Sequence, residues 1–281
     1  MSGAKWSPAQ SGCAPRRLST RHVPELPEVE AAARRFARAA RDKQLARLRV
    51  LHPSLRKRLP AARAARLRGR RIARVERRGK HQLLILDDGA VIHVHFRMAG
   101  NWAVIRRGAD DPAHARAVFE FSDGTRIALV DPRALSSLSY HGDASAVLPA
   151  LGMEADDRAL TPAVLAHALA AKRSAIKPAL LDQRVVAGVG NIYAAESLWR
   201  ARIDPRAQAA SLTTRRLTSL IAAIRAALAG QSRAGRYADG DTARFHVYGR
   251  AGEPCHRCGT GIERLTQAGR STYFCPRCQS R

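Results

Sequence analysis

From Glu28 to about Arg41 the apolar and charged positions recur with a helical period, and the stretch predicts a helix. The texture then shifts to short apolar or alternating blocks. RIARVERRGKHQLLILDDGAVIHVHFRMAGNWAVI (71–105) reads as successive strands, with Asp87-Asp88-Gly89 as a hairpin turn. VFEFSDGTRIALVDPR (118–133) repeats the form around Ser122-Asp123-Gly124. After about residue 150 the chain turns to alanine- and leucine-rich helices, at 162–172, 174–182, 191–200 and 211–230. The pattern therefore predicts an α+β chain: a β-rich first half with a leading helix, a boundary near Gly152, and a helical second half. A loop-like stretch, GQSRAGRYADGDTARFHVYGRAGEP (230–254), leads into a cysteine-bearing tail.

The length of 281 residues suits two domains with a small third unit. No run approaches the roughly 18 apolar residues of a membrane span, so a soluble protein is expected. A formal net charge of +26 points to a polyanionic partner, since lysines and arginines that neutralise phosphates dominate nucleic-acid affinity. Of the 49 basic residues only six are lysines, and a GC-rich genome gives that arginine skew by codon bias alone. Residues 1–22 are basic and carry no acid, but lack the apolar core of a secretory signal.

Four of the five cysteines form two CxxC pairs, Cys255/Cys258 and Cys275/Cys278, separated by sixteen residues; Cys13 stands alone. The spacing predicts a hairpin that gathers four thiolates around one tetrahedral zinc, in a reducing cytosol. With four thiolates no coordination position stays open, so the zinc is structural. Arg270 falls near the tip of that hairpin, where an arginine can reach a phosphate. In DQRVVAGVGNIYAAESLW (182–199), Gly188 and Gly190 break a helical run and Asn191 is placed to cap the next helix. Such a turn would aim backbone N–H groups and the Asn191 amide at one point, a ready seat for a DNA phosphate, although a tight helical hairpin with no ligand has the same sequence. Lys80 is a lysine at a strand start in a chain that writes nearly every cation as arginine. His93 and His95 share one face of a strand and, with no third ligand nearby, read as packing or hydrogen-bonding residues.

The string PELPEVE (24–30) suits a helix start, because proline in the first turn fixes φ and glutamates complement the positive end of the dipole. Pro24 does not fit that reading, since it precedes the helix and follows Val23 directly.

PELPEVE, RRGKHQLL (77–84), FRMAGNW (96–102), DPR (131–133), AIKPALLDQRVVAGVGNIYAAESLW (175–199), VYGRAGEPC (247–255) and the four cysteines together closely resemble the formamidopyrimidine-DNA glycosylase family, bifunctional repair enzymes that excise oxidised purines. The match runs from Pro24 to Arg281. It implies a catalytic β-sandwich flanked by helices (24–150), a helix-two-turn-helix domain (151–245) and a zinc finger (246–281), with damaged double-stranded DNA in the cleft. It also implies a monomer in the bacterial cytoplasm. In that family the proline of PELPEVE is the mature N-terminal residue, and its amine is the nucleophile. An α-amino group has a pKa of ~7.7–8.0 against ~10.4 for lysine, so it is far more often neutral at pH 7. Its attack on C1′ expels the base and leaves an iminium ion, and strand cleavage follows by successive eliminations.

By matching position, Glu25 supplies a proton that opens the deoxyribose ring, Lys80 acts as acid or base near the cut phosphates, and Arg270 grips the phosphate beside the flipped nucleotide. His114, Arg133, Arg173, Lys177 and Asn191 match DNA-contacting positions, and Met98 matches a residue that fills the gap left by the base.

Three departures stand out. Pro24 is internal, which is expected to reflect a GTG start codon at Val23, with residues 1–23 a misassigned or removable extension. Ala134 and Leu135 follow DPR where relatives carry an arginine and an aromatic wedge. The loop at 231–246 is short, which favours formamidopyrimidines over 8-oxoguanine. The competing readings are an endonuclease VIII-like enzyme for oxidised pyrimidines, which PELPEVE disfavours, and a non-catalytic damage-binding protein whose Pro24 stays capped.

Overall fold

The computed structural model describes residues 23–143, 147–234 and 245–279. The extension at 1–22, Cys13 and most of the 231–246 loop lie outside the described residues.

Helix α1 (Leu26–Ala40) comes first, then β1 (Leu45–Val50) and two short helices, α2 (Pro53–Arg56) and α3 (Ala61–Ala65). Seven strands follow: β2 (Ile72–Arg78), β3 (His81–Leu86), β4 (Val91–His95), β5 (Asn101–Ile105), β6 (Ala115–Phe121), β7 (Arg126–Val130) and β8 (Ser137–His141). They form two four-stranded antiparallel sheets, ordered β1-β6-β7-β5 and β2-β3-β4-β8. Alternation sends Leu84, Leu86, Ile92 and Val94 of one sheet against Leu48, Trp102, Phe119 and Leu129 of the other, joined by Val29 and Phe36 of α1. The expected β-sandwich with a leading helix is present, and both predicted hairpin turns fall between paired strands.

Strand β1 was not expected, because Arg47 and Arg49 break its apolar pattern. Arg49 is held on the sheet by Asp111 at 2.7 Å and Glu120 at 2.6 Å. Without those carboxylates an arginine-rich strand would have no reason to pair there.

The second half contains β9 (Met153–Glu154), α4 (Pro162–Ala170), α5 (Ile176–Leu181), β10 (Val186–Ala187), α6 (Asn191–Arg200) and α7 (Thr214–Ala234). Its core is separate, built from Leu165, Leu180, Tyr193, Leu198, Leu220 and Ile224, and Leu26 from the first turn of α1 is part of it. The chain closes with the hairpin β11 (Glu263–Gln267) and β12 (Arg270–Phe274), packed on Trp199 and Val247 through the finger. Ala268 (φ 47°) and Gly269 (φ 71°) form its two-residue turn, the left-handed pair that suits the twist of a tight hairpin.

Candidate active site and zinc centre

Helix α1 begins where the two halves meet. Glu25, the residue ahead of it, is buried, and its carboxylate accepts the backbone N–H of Ile192 at 2.9 Å and of Tyr193 at 3.3 Å. The amides at the start of α6 thus face a carboxylate from the other domain, not a phosphate as the glycine turn suggested. The positive end of the helix is already compensated. The two glycines make room for this docking. A Cβ on Gly190 would overlap the Glu25 carboxyl, and one on Gly188, which is also left-handed at φ 97°, would overlap Leu26.

Glu28 lies beside Glu25, accepting the Glu25 N–H at 3.0 Å and the Tyr193 hydroxyl at 2.8 Å. Burial pushes the Glu25 carboxyl above the usual range, against the opposing charge of Lys80 and the α6 amides. Burial and the neighbouring Glu25 push Glu28 up to about 7. Half-buried Lys80 points its ammonium at the Val189 carbonyl, 3.0 Å away. Burial holds it below the ordinary lysine value, with Arg270 acting in the same direction and Glu25 and Glu28 opposing. Half-buried Pro24 adjoins this set, with its nitrogen in the peptide bond to Val23.

Arg270 is exposed at the start of β12, and its charge acts on both Lys80 and Lys177. Lys177 is fully buried, and its ammonium donates to Asn191 Oδ1 at 2.6 Å, Thr272 Oγ1 at 2.8 Å and the Ser271 carbonyl at 3.0 Å. Asn191 also donates from Nδ2 to the Ser271 carbonyl at 3.1 Å. Lys177 and Asn191 therefore tie the finger hairpin to α5 and α6, and the three donors of Lys177 are taken within the protein.

Met98, Arg133 and Leu135 sit on two abutting loops. A Cβ on Gly100 would overlap Ser136 Oγ, whose hydroxyl donates to the Phe96 carbonyl at 3.2 Å. Buried Asp131 accepts from the backbone N–H of Arg133 (3.0 Å), Leu135 (2.8 Å) and Ser136 (2.7 Å), leaving the Arg133 and Leu135 side chains exposed. His114 is exposed, with a left-handed backbone (φ 62°) and its carbonyl accepting from Asp131 N–H. Arg173 is exposed just ahead of α5.

The four cysteine sulfurs lie within 4.8 Å of one another, with Cys258–Cys275 at 3.5 Å and Cys255–Cys278 at 4.0 Å. Tetrahedral zinc with Zn–S bonds of about 2.3 Å sets its sulfurs about 3.8 Å apart, so the donor set fits zinc. Cys255 also accepts from Trp199 Nε1 at 3.4 Å, which anchors the finger to α6.

The sequence profile of the formamidopyrimidine-DNA glycosylase N-terminal domain matches residues 23–138, that of the H2TH domain matches 151–237, and that of the zinc finger found in FPG and IleRS matches 252–281. The formamidopyrimidine-DNA glycosylase of Gluconobacter oxydans is 40% identical over 276 residues, covering 92% of this chain and 100% of its own length. The chain belongs to the formamidopyrimidine-DNA glycosylase family. The Lactococcus lactis enzyme, solved non-covalently bound to DNA containing an AP site, superposes with a TM-score of 0.84 at 28% identity, over 92% of this chain and 100% of that one. A MutM structure with carbocyclic 8-oxo-G DNA gives 0.84 at 29%, with the same coverage.

As a family member the protein is a base-excision repair DNA glycosylase with the family's lyase activity, DNA is its partner, and one structural zinc is held by the four cysteines. Among the described residues no helix is long and apolar enough to cross a membrane.

Sequence reasoning did not single out three residues of this glycosylase. Glu28 was readable from the Glu-x-x-Glu spacing of a capping box. Asp131 lies in the DPR string but its role was not legible, and Glu154 had no signal, because the partners of both are set by the fold. His93 and His95 are joined by His81 and His141. His81 Nδ1 and His93 Nε2 are 2.8 Å apart, and burial lowers both to about 4 and His95 to about 3. The rings of His81, His93 and His95 are neutral near pH 7 and hydrogen-bonded, and among the described residues only the four cysteines converge as a metal site.

Proposed function

We propose that the glycosylase excises oxidised purines through the amine of Pro24, once that residue is N-terminal, and then cleaves the strand by β- and δ-elimination. The observation that carries this is the placement of Glu25. It adjoins Pro24, lies buried against α6, and feels the charge of Lys80, on which Arg270 acts in turn. A proton donor there is favoured by a carboxyl that holds its proton more tightly than usual, and burial raises that of Glu25.

In the reaction the Pro24 lone pair forms a bond to C1′ and the bond to the base breaks, the base leaving with the proton that the amine sheds. Glu25 protonates the ring oxygen as the C1′–O4′ bond opens, leaving an iminium ion. Loss of the C2′ proton expels the 3′ phosphate, and a second elimination expels the 5′ phosphate. Lys80 serves these transfers, and Arg270 holds the phosphate beside the flipped nucleotide. Met98 and Leu135 fill the space the base vacates, and His114, Arg133 and Arg173 grip the backbone. Lys177 and Asn191 act with the hairpin that presents Arg270.

The related MutM complex with 8-oxo-G DNA supports a purine lesion. Leu135, 46% exposed, offers no aromatic face to the orphaned base, and the short 231–246 loop supports ranking formamidopyrimidines ahead of 8-oxoguanine. The start of the family match at Val23 supports a mature chain that begins at Pro24. We place this chain in the bacterial cytoplasm, acting as a monomer.

Borohydride trapping on duplex DNA with a damaged purine tests the reading. The form beginning at Pro24 should cross-link and the 281-residue form should not. Cross-linking by neither form would favour a damage-binding protein without catalysis.

A further inference from the structure

Lys80 belongs to the first domain, yet its ammonium sits on a carbonyl of the second. That carbonyl, Val189, also accepts Gln183 Nε2 at 2.9 Å, while Gln183 Oε1 accepts the Gly188 N–H at 2.9 Å, so the glycine turn is held from within its own domain. Inside the sandwich the β2–β3 turn that carries Lys80 is braced by Arg77 Nη1, which donates to the Gly79 carbonyl at 3.3 Å. Its brace from the second domain is Glu154. One carboxylate oxygen accepts the Gly79 N–H at 2.5 Å and Arg78 Nη1 at 2.7 Å, and the other accepts Arg77 Nη1. Arg77 is in turn bonded to Glu30 of α1 at 2.7 Å, and Arg78 to the Gly152 carbonyl at 2.9 Å.

The backbone of Glu154 adds the decisive link. In the β9–β10 ladder Glu154 pairs with Ala187, two residues before Val189. Gly152 permits that approach, since a Cβ there would lie 2.5 Å from the Val185 carbonyl. One residue thus fixes the glycine turn with its main chain and the lysine turn with its side chain. Gly79, left-handed at φ 57° with its notional Cβ 3.4 Å from Ala187, closes the same seam.

We infer that Glu154 is a positioning residue, which sets Lys80 against Val189 and Glu25 and so governs the step that Lys80 serves. This rests on the role of Lys80 proposed above. In the form beginning at Pro24, Lys80→Ala should depress excision of an intact lesion more than cleavage at a pre-formed abasic site. Glu154→Gln should reproduce that imbalance, with excision reduced about tenfold or more and abasic cleavage within about threefold. The pair Glu154→Gln/Lys80→Ala should be no worse than Lys80→Ala alone, since both remove one function. Asp156→Asn, which removes only an outer partner of Arg77, should leave the imbalance unchanged, and Gly79→Ala should produce it from the other side of the seam.

A second readout is independent of activity. Trace acetylation of the 281-residue chain across pH, read at Lys80 by mass spectrometry, should give a higher apparent pKa in Glu154→Gln than in the parent, as the ammonium leaves its half-buried seat. An unchanged Lys80 titration, with only a lower melting temperature, would make Glu154 a plain brace and overturn the inference. A shifted titration with no imbalance in Lys80→Ala would leave the positioning intact and remove the catalytic role of Lys80.

Discussion

Two carboxylates three residues apart, Glu25 and Glu28, share the seam between the domains. Glu25 and Glu28 are both raised, and they interact, so one suppresses ionisation of the other. Glu25→Gln keeps the size of the side chain but removes its exchangeable acid proton, and excision should fall by ~10²–10⁴, the usual worth of a positioned acid. Steady-state excision by the form beginning at Pro24 checks this, and full activity would remove Glu25 from the chemistry. Glu28 bears on stability. Unfolded, it loses its proton near its ordinary 4.5, whereas folded it holds the proton up to about 7. Between those values the folded state binds more protons than the unfolded one, so the contribution of Glu28 to stability falls as pH rises from 4.5 to about 7 and is level above. Melting temperatures from pH 4.5 to 8 should show a shallower decline in Glu28→Gln than in the parent.

Among elements, α6 shows how a helix terminus is shared between domains. Gly190→Ala adds a methyl group where the Glu25 carboxyl sits, and the backbone on one side must yield. Excision should drop to near the level of Glu25→Gln, and the melting temperature should fall with it; unaltered kinetics would show that the docking is not needed. The fold's regular parts were legible because their signals are local. The Asp-Asp-Gly and Ser-Asp-Gly turns, the helix at 191–200 and the paired CxxC motifs each declare themselves within a few residues. The seam was not legible. Glu25 meets Ile192 across 167 positions, and Glu154 meets Gly79 across 75, so no window of sequence contains either pair. Strand β1 was hidden for a related reason, since the acids that neutralise Arg49 lie on β6 and in the loop before it. For the amides of α6 the sequence left a phosphate seat and a plain helical hairpin both open, because it showed a helix start but not the distant carboxylate that fills it.

At the scale of the whole molecule, three packed units meet at the site, and each contributes something the others lack. The finger contributes Arg270, carried on a hairpin whose base is the zinc and whose side is tied by Lys177 and Asn191. Stripping the zinc with a chelator should release that hairpin, because a four-thiolate site supplies folding energy directly. Binding to lesion DNA should weaken while the far-ultraviolet signal of the sandwich persists, and readded zinc should restore binding. Loss of the sandwich signal together with binding would show that the finger is not an independent unit.

The reach of Leu26 into the second core has a further meaning for the order in which the chain is made. The sandwich core is complete once residue 138 has been synthesised. The pocket that receives Leu26 and the amides that receive Glu25 come from residues made later, up to Leu228 of α7. A ribosome-bound or prematurely terminated chain that lacks those residues therefore has no seat on α6 for the Glu25 carboxylate. Such a fragment should be harmless to intact DNA, so cutting power arrives only with the finished protein.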